Sequence, residues 1–198
     1  RHGFEGDRSS YDNMDNADLI SVIDRKMGIP VSLGILYIHV ARSMNWVVEG
    51  LNFPSHFLLR LDGEGERAIV DPFDDGAILE PPALRDLAKQ VLGTNTEMDR
   101  AWFEPVGNRS VLLRLQNNIR TRALQNGELD RGAEVTRRMI LIAPGSKGLQ
   151  RDLGMVEAHR GNVGAAIEAF HLFLETAPVG AERAEAEQML SKLRLALN

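Results

Sequence analysis

The spacing of apolar positions changes several times along the first half of the chain. Leu19, Ile20, Val22, Ile23 and Met27 recur at helical spacing, after a capping Asp15 or Asn16 and before Gly28. From Pro30 to about Met44, Val31, Leu33, Ile35, Leu36, Ile38, Val40 and Ala41 leave almost no polar face. Proline suits the first helical turn, and a helix apolar all round is a buried one. Trp46–Phe53, His56–Leu61 and Arg67–Asp71 then read as strands, the last two joined by a hairpin loop at Asp62–Glu66 with its two glycines. Asp71–Gly76 is a turn. Pro81 and Pro82 open a helix through Leu84, Leu87, Val91 and Leu92. Residues 1–13 form an irregular lead-in, and residues 93–108 a linker that packs down through Trp102 and Phe103. These elements predict an α+β domain over residues 1–92, with a small antiparallel sheet against the Pro30–Met44 helix.

After residue 109 the pattern is helix after helix, and a repeat emerges. Gly127 recurs as Gly161, Leu129 as Val163 and Pro144 as Pro178, each 34 residues on. That is the period of a helix–turn–helix repeat ending near proline, with the glycines at the turn between paired helices. Ala181–Leu197 forms a last helix that caps the stack, with Met189, Leu190, Leu193 and Leu197 inward and Glu182, Glu185 and Lys192 outward. Residues 109–198 are therefore expected to be all helical.

Composition narrows the function classes. Of 198 residues, 43% are hydrophobic and 26% charged, ordinary proportions for a globular chain. A net charge of -5 argues against a nucleic-acid partner, which needs basic patches. No run of apolar residues is long enough to span a membrane. With no cysteine, disulfides and thiolate metal sites are excluded, and a cytoplasmic location is the default expectation. The chain starts without methionine, so a fragment or a processed product is expected.

The chemistry centres on His56, Asp71 and the start of the buried helix. A nucleophile there, a histidine base on one strand and an orienting carboxylate on the next form the layout of an acyl-transfer triad. Ser32 lies in the first helical turn. Its hydroxyl is either a nucleophile using His56 as base or a cap bonded to nearby backbone. The His56–Asp71 pair is either a binding element or a structural hydrogen bond between strands, expected next to the helix N-terminus. Asp71, Asp74, Asp75 and Glu80 form an acidic cluster that reads as a solvated turn rather than a calcium loop. His39 reads as a core histidine, and Trp46, Phe53, Phe57 and Phe73 as core. His159 and His171 have no partner at metal spacing. Arg114, Arg120, Arg122, Arg137 and Arg138 line a repeat groove suited to acidic peptides, or else form solvated helix faces. No cofactor and no metal site are expected.

The phrases Gly-Ile-Pro-Val-Ser-Leu from Gly28, Phe-Pro-Ser-His-Phe-Leu from Phe53 and Val-Asp-Pro-Phe-Asp-Asp-Gly from Val70 carry a resemblance. The N-terminal part resembles the transglutaminase-like (papain-like) core, in which Gly-x-Cys opens a buried helix and is followed by His and Asp on successive strands. Together with tandem tetratricopeptide repeats, it resembles the bacterial SirB-like proteins over about residues 4–178. The resemblance implies that Gly28-Ile-Pro30 stands where Gly-x-Cys would stand, that His56 and Asp71 match the family His and Asp, and that a further helical segment lies upstream in most members. Pro30 has no reactive group. Two readings follow. One is a pseudoenzyme that binds a protein or peptide through its repeats, with a homodimer left open. The other is a hydrolase or acyltransferase using Ser32, His56 and Asp71.

Overall fold

The computed structural model describes residues 3–54, 56–63 and 65–195. The chain divides into two compact units, one running to Leu115 and the other starting at Gln116.

In the first unit a five-stranded antiparallel sheet is the scaffold. Its strands are β3 (Val47–Leu51), β4 (Leu59–Gly63), β5 (Glu66–Asp71), β6 (Ala77–Ile78) and β7 (Pro105–Val106), laid side by side in the order β6-β5-β4-β3-β7. Ahead of them, β1 (Glu5–Gly6) pairs in parallel with β2 (Met27–Gly28), on either side of the short helix α1 (Leu19–Arg25). The long helix α2 (Pro30–Ser43) lies on one face of the sheet. There Phe57 fills the space beside Gly34 and Gly50, where an added Cβ would come within 2.4 Å and 2.7 Å of its ring. Helix α3 (Pro81–Leu92) covers the other face. Its Leu84 and Ala88 are buried with Leu51, Phe53 and Leu58, and Trp102 and Phe103 pack against them. The two faces follow from the pleat, since Gly50 and Leu59 face α2 while their neighbours Leu51 and Leu58 face α3.

Several expectations change. Helix α1 is capped by Asp18, while Asn13 caps a preceding 3₁₀ turn at Met14–Ala17. Helix α1 ends at a left-handed Lys26, and its Ile20 and Ile23 are exposed while Val22 is buried. The stretch 93–108, read as a linker that packs down, holds a 3₁₀ turn at Arg100–Phe103 and strand β7. The division between the units falls further along than residue 92, inside α4 (Asn108–Gln125).

The largest correction concerns α2. Its Pro30, Val31, Leu33, Gly34, Ile38 and Ala41 are buried, but His39 is exposed and Val40 is 54% exposed. Leu36, Val40 and Met44 stand four residues apart and form a second apolar stripe. With Tyr37, Trp46 and Ile78 they line a groove enclosing about 540 Å³. His39 is therefore not a core histidine. Trp46 is 53% exposed and Phe73 only part-buried, whereas Phe53 and Phe57 are core.

The second unit is helical throughout its described residues. It comprises the rest of α4, then α5 (Leu129–Ile142), α6 (Gly148–His159), α7 (Val163–Thr176) and α8 (Ala181–Leu195). Gly127 (φ +75°) and Gly161 (φ +74°) make the equivalent turns before α5 and α7, in the left-handed region that glycine enters at little cost. Phe170, Phe173, Ala186 and Leu190 form the core under α8, with Met189 and Leu193 against it. The expected inward Leu197 lies outside the described residues.

Candidate functional site

The site is built where β5 ends and the β3–β4 connection returns. Residues 57, 58 and 59 are all buried because the sheet is covered on both faces, Phe57 and Leu59 toward α2 and Leu58 toward α3. The ladder pairs Leu59 with Val70. One more backbone bond, from the Leu51 N–H to the Leu58 carbonyl (2.9 Å), extends the pairing with β3. His56 therefore lies just ahead of β4 rather than opening it. Its ring still reaches across, with Nε2 at 2.8 Å from Asp71 Oδ2.

Asp71 is buried and doubly engaged. Its Oδ1 accepts the Phe73 N–H at 2.8 Å, which fixes the turn that ends β5. A carboxylate oxygen only accepts, so an ionised Asp71 takes this bond from an Nε2–H of His56. Phe73 meets the His56 ring edge to face at 6.2 Å and the Tyr11 ring at 5.9 Å, and the Arg8 guanidinium lies 5.4 Å above it. Gly6 lies so close to Phe73 that a Cβ there would come within 2.3 Å of the ring. The N-terminal segment is thus packed down beside the His–Asp pair. Asp7 anchors that segment. The Ser10 N–H, and further bonds from Asn16, Ser9 and Arg25, hold the Asp7 carboxyl below its usual range against the opposing effect of burial.

Ser32 is placed differently from His56 and Asp71. It has no exposed surface, and its hydroxyl lies 2.7 Å from the Asn16 carbonyl and 3.0 Å from the Ile29 carbonyl while accepting the Ile29 N–H at 3.1 Å. Gly28 leaves room for it, since a Cβ there would meet the Ser32 hydroxyl at 2.6 Å. Ser32 thereby closes the first turn of α2, and Pro30, which lacks an N–H, begins that turn. Neither the apolar groove along α2 nor a second hollow of about 290 Å³ between Gly6, Arg8, Met27 and Asp74 is lined by Pro30, Ser32, His56 or Asp71.

The acidic cluster is dispersed by its partners. Asp71 serves His56 and Asp74 pairs with Arg8 at 2.6 Å, and no group of potential metal ligands occurs among the described residues. Burial pushes the Tyr37 phenol up, and Asp75 and Asp71 add to that effect.

The arginines read from the sequence as lining a repeat groove are engaged within the chain. Arg120 pairs with Asp152 at 2.6 Å, Arg122 is buried with a bond to Asn118, Arg137 meets Glu157, and Arg138 meets Glu134. Arg114 lies in the first unit, where its Nη2 donates to the His56 carbonyl at 2.8 Å and points at the Phe53 carbonyl at 3.4 Å. Sequence reasoning missed this role. The available signal was its helical position, three residues after Val111 and next to Leu115, both buried. His159 bonds the Met155 carbonyl and His171 meets Arg194, each at 2.8 Å.

Comparison with known proteins gives two matches along the chain. Residues 1–117 match the transglutaminase-like superfamily, and residues 119–191 match the tetratricopeptide repeat. The chain is similar to a UPF0162 protein of Xylella fastidiosa strain Temecula1, at 30% identity over 179 residues, covering 89% of this chain and 64% of that protein. A UPF0162 protein of Vibrio cholerae is 28% identical over 177 residues, covering 89% of this chain and 65% of its own length. The mouse F-box only protein 21 is 45% identical over 71 residues, 36% of this chain and 11% of that protein. The chain thus spans a little under two thirds of these two bacterial relatives.

Proposed function

This chain belongs to the transglutaminase-like superfamily, and from that premise we propose that it is a non-catalytic member acting through protein–protein interaction. One observation carries the reading. The chain has no cysteine, and at the start of α2, where a thiol would stand, Pro30 offers no nucleophile. The hydroxyl two residues on, that of Ser32, is buried and bonded to main chain. Acyl transfer needs a nucleophile with a base in reach and space for a substrate. The tetratricopeptide repeats supply the interaction side of the proposal, since stacked helical pairs present extended surfaces to partners. His56 and Asp71 then form a structural pair that ties the β3–β4 connection to the end of β5.

The bond between His56 and Asp71 supports one competing reading, a hydrolase or acyltransferase with Ser32 as nucleophile. A screen of the full chain with generic esters and glutamine peptides decides between them. No turnover is expected. Turnover that disappears in both Ser32→Ala and His56→Ala would overturn the non-catalytic reading.

A further inference from the structure

We propose that Arg114 is the positioning residue of His56, holding the loop that carries the imidazole so that its ring presents Nε2 to Asp71. Phe53 and His56, between the last pairing of β3 and the first of β4, have no ladder partner, so something other than the ladder has to fix the histidine where it aims at Asp71. Arg114 does so from α4. Its Nη2 donates to the carbonyl of His56 itself (2.8 Å) and points at that of Phe53 (3.4 Å), on the near side of Pro54. The guanidinium also lies 5.5 Å above the Phe57 ring. Phe57 is the next residue in the loop and is wedged between Gly34 of α2 and Gly50 of β3. One side chain therefore spans the loop on both sides of the histidine and presses its neighbour into the core.

The pairing of carbonyl and ring contacts suits arginine better than lysine. One terminal nitrogen reaches the carbonyls while the planar face of the same guanidinium lies over an aromatic ring, whereas an ammonium could donate to the carbonyls but has no flat face for the ring. The guanidinium is partly withdrawn from water, and that burial pushes its proton affinity down, yet far too little to discharge it. The position also explains why Arg114 is not part of a repeat groove. It lies one residue before the end of the first unit.

The inference goes beyond the proposed function and does not depend on whether the pair catalyses, because its test reads the ring rather than turnover. The full chain is labelled with ¹⁵N-histidine, and the two ring nitrogens of His56, assigned with a His56→Gln sample, are read by long-range proton–nitrogen correlation. Wild type is expected to show the Nε2–H tautomer. In Arg114→Met, which keeps an unbranched stem over Phe57, both nitrogens move toward the averaged positions of a free imidazole, and Arg114→Lys lies in between. Val48→Ala, which cuts into a buried strand position, lowers the melting temperature without moving the His56 ring. Wild-type ring positions in a folded Arg114→Met overturn the proposal. If that variant does not fold, wild-type positions in Arg114→Lys overturn it instead.

Discussion

Each unit buries a carboxylate, and the two are partnered in different ways. In the second unit Glu157 has no exposed surface and takes two guanidinium groups, Arg137 and Arg160, the latter at 2.7 Å and also bonded to Asp130. In the first unit Asp71 takes one backbone N–H and one imidazole. A guanidinium stays charged at every accessible pH, whereas an imidazole is the group that changes charge near neutrality. Glu157 is thus fixed into the architecture of the repeats. Asp71 instead orients a ring through its Nε2.

The comparison breaks most sharply at Glu157. Charge-assisted hydrogen bonds contribute roughly 1.5–3 kcal/mol each, so Glu157→Ala is expected to cost the helical unit about 3 kcal/mol or more, seen as an earlier urea midpoint by circular dichroism. Asp71→Ala removes two bonds, one of them to a neutral backbone amide. It is expected to cost about 2 kcal/mol by the same measurement and to release the His56 ring from its single tautomer.

A smaller effect separates the first unit's second buried acid from both. The carboxyl of Asp7 is held below its ordinary value of 3.8, first by the Ser10 N–H. A depressed folded value means that its contribution is complete above that ordinary value and is lost as the pH falls through the lower, folded one. Asp7→Asn should therefore flatten the acid limb of a stability–pH curve and change little of its slope near neutrality. The smallest effect sharpens the contrast with Glu157. Arg138→Ala removes a solvent-exposed pair with Glu134 on the same helix and should shift stability by no more than about 0.5 kcal/mol.

Most of the architecture was legible because it rests on local chemistry. Pro30 at the first turn, the paired prolines that open α3 and the glycines 34 residues apart each act through their own backbone, and the elements fall where those residues put them. His56 and Asp71 were legible as a pair because a hairpin brings the ends of its strands together. What escaped the sequence depends on distant partners. Nothing local distinguishes the Ser32 hydroxyl as bound to Asn16, sixteen residues back, or Arg114 as bound to a loop 58 residues back. Val40 and Met44 look identical in sequence to buried positions, and only the absence of an element over that side of α2 in the described residues leaves them exposed.

That uncovered stripe has a consequence at the bench. Environment-sensitive dyes that brighten in apolar surroundings are commonly taken as signs of a loosened, partly unfolded chain. Here the folded first unit itself offers such a dye a ready-made cleft between Met44, Trp46 and Ile78. Bright dye fluorescence from this chain is expected in its native state, falling rather than rising as urea dismantles the walls. Sulfate, by strengthening apolar association, should make the same surface the first cause of turbidity.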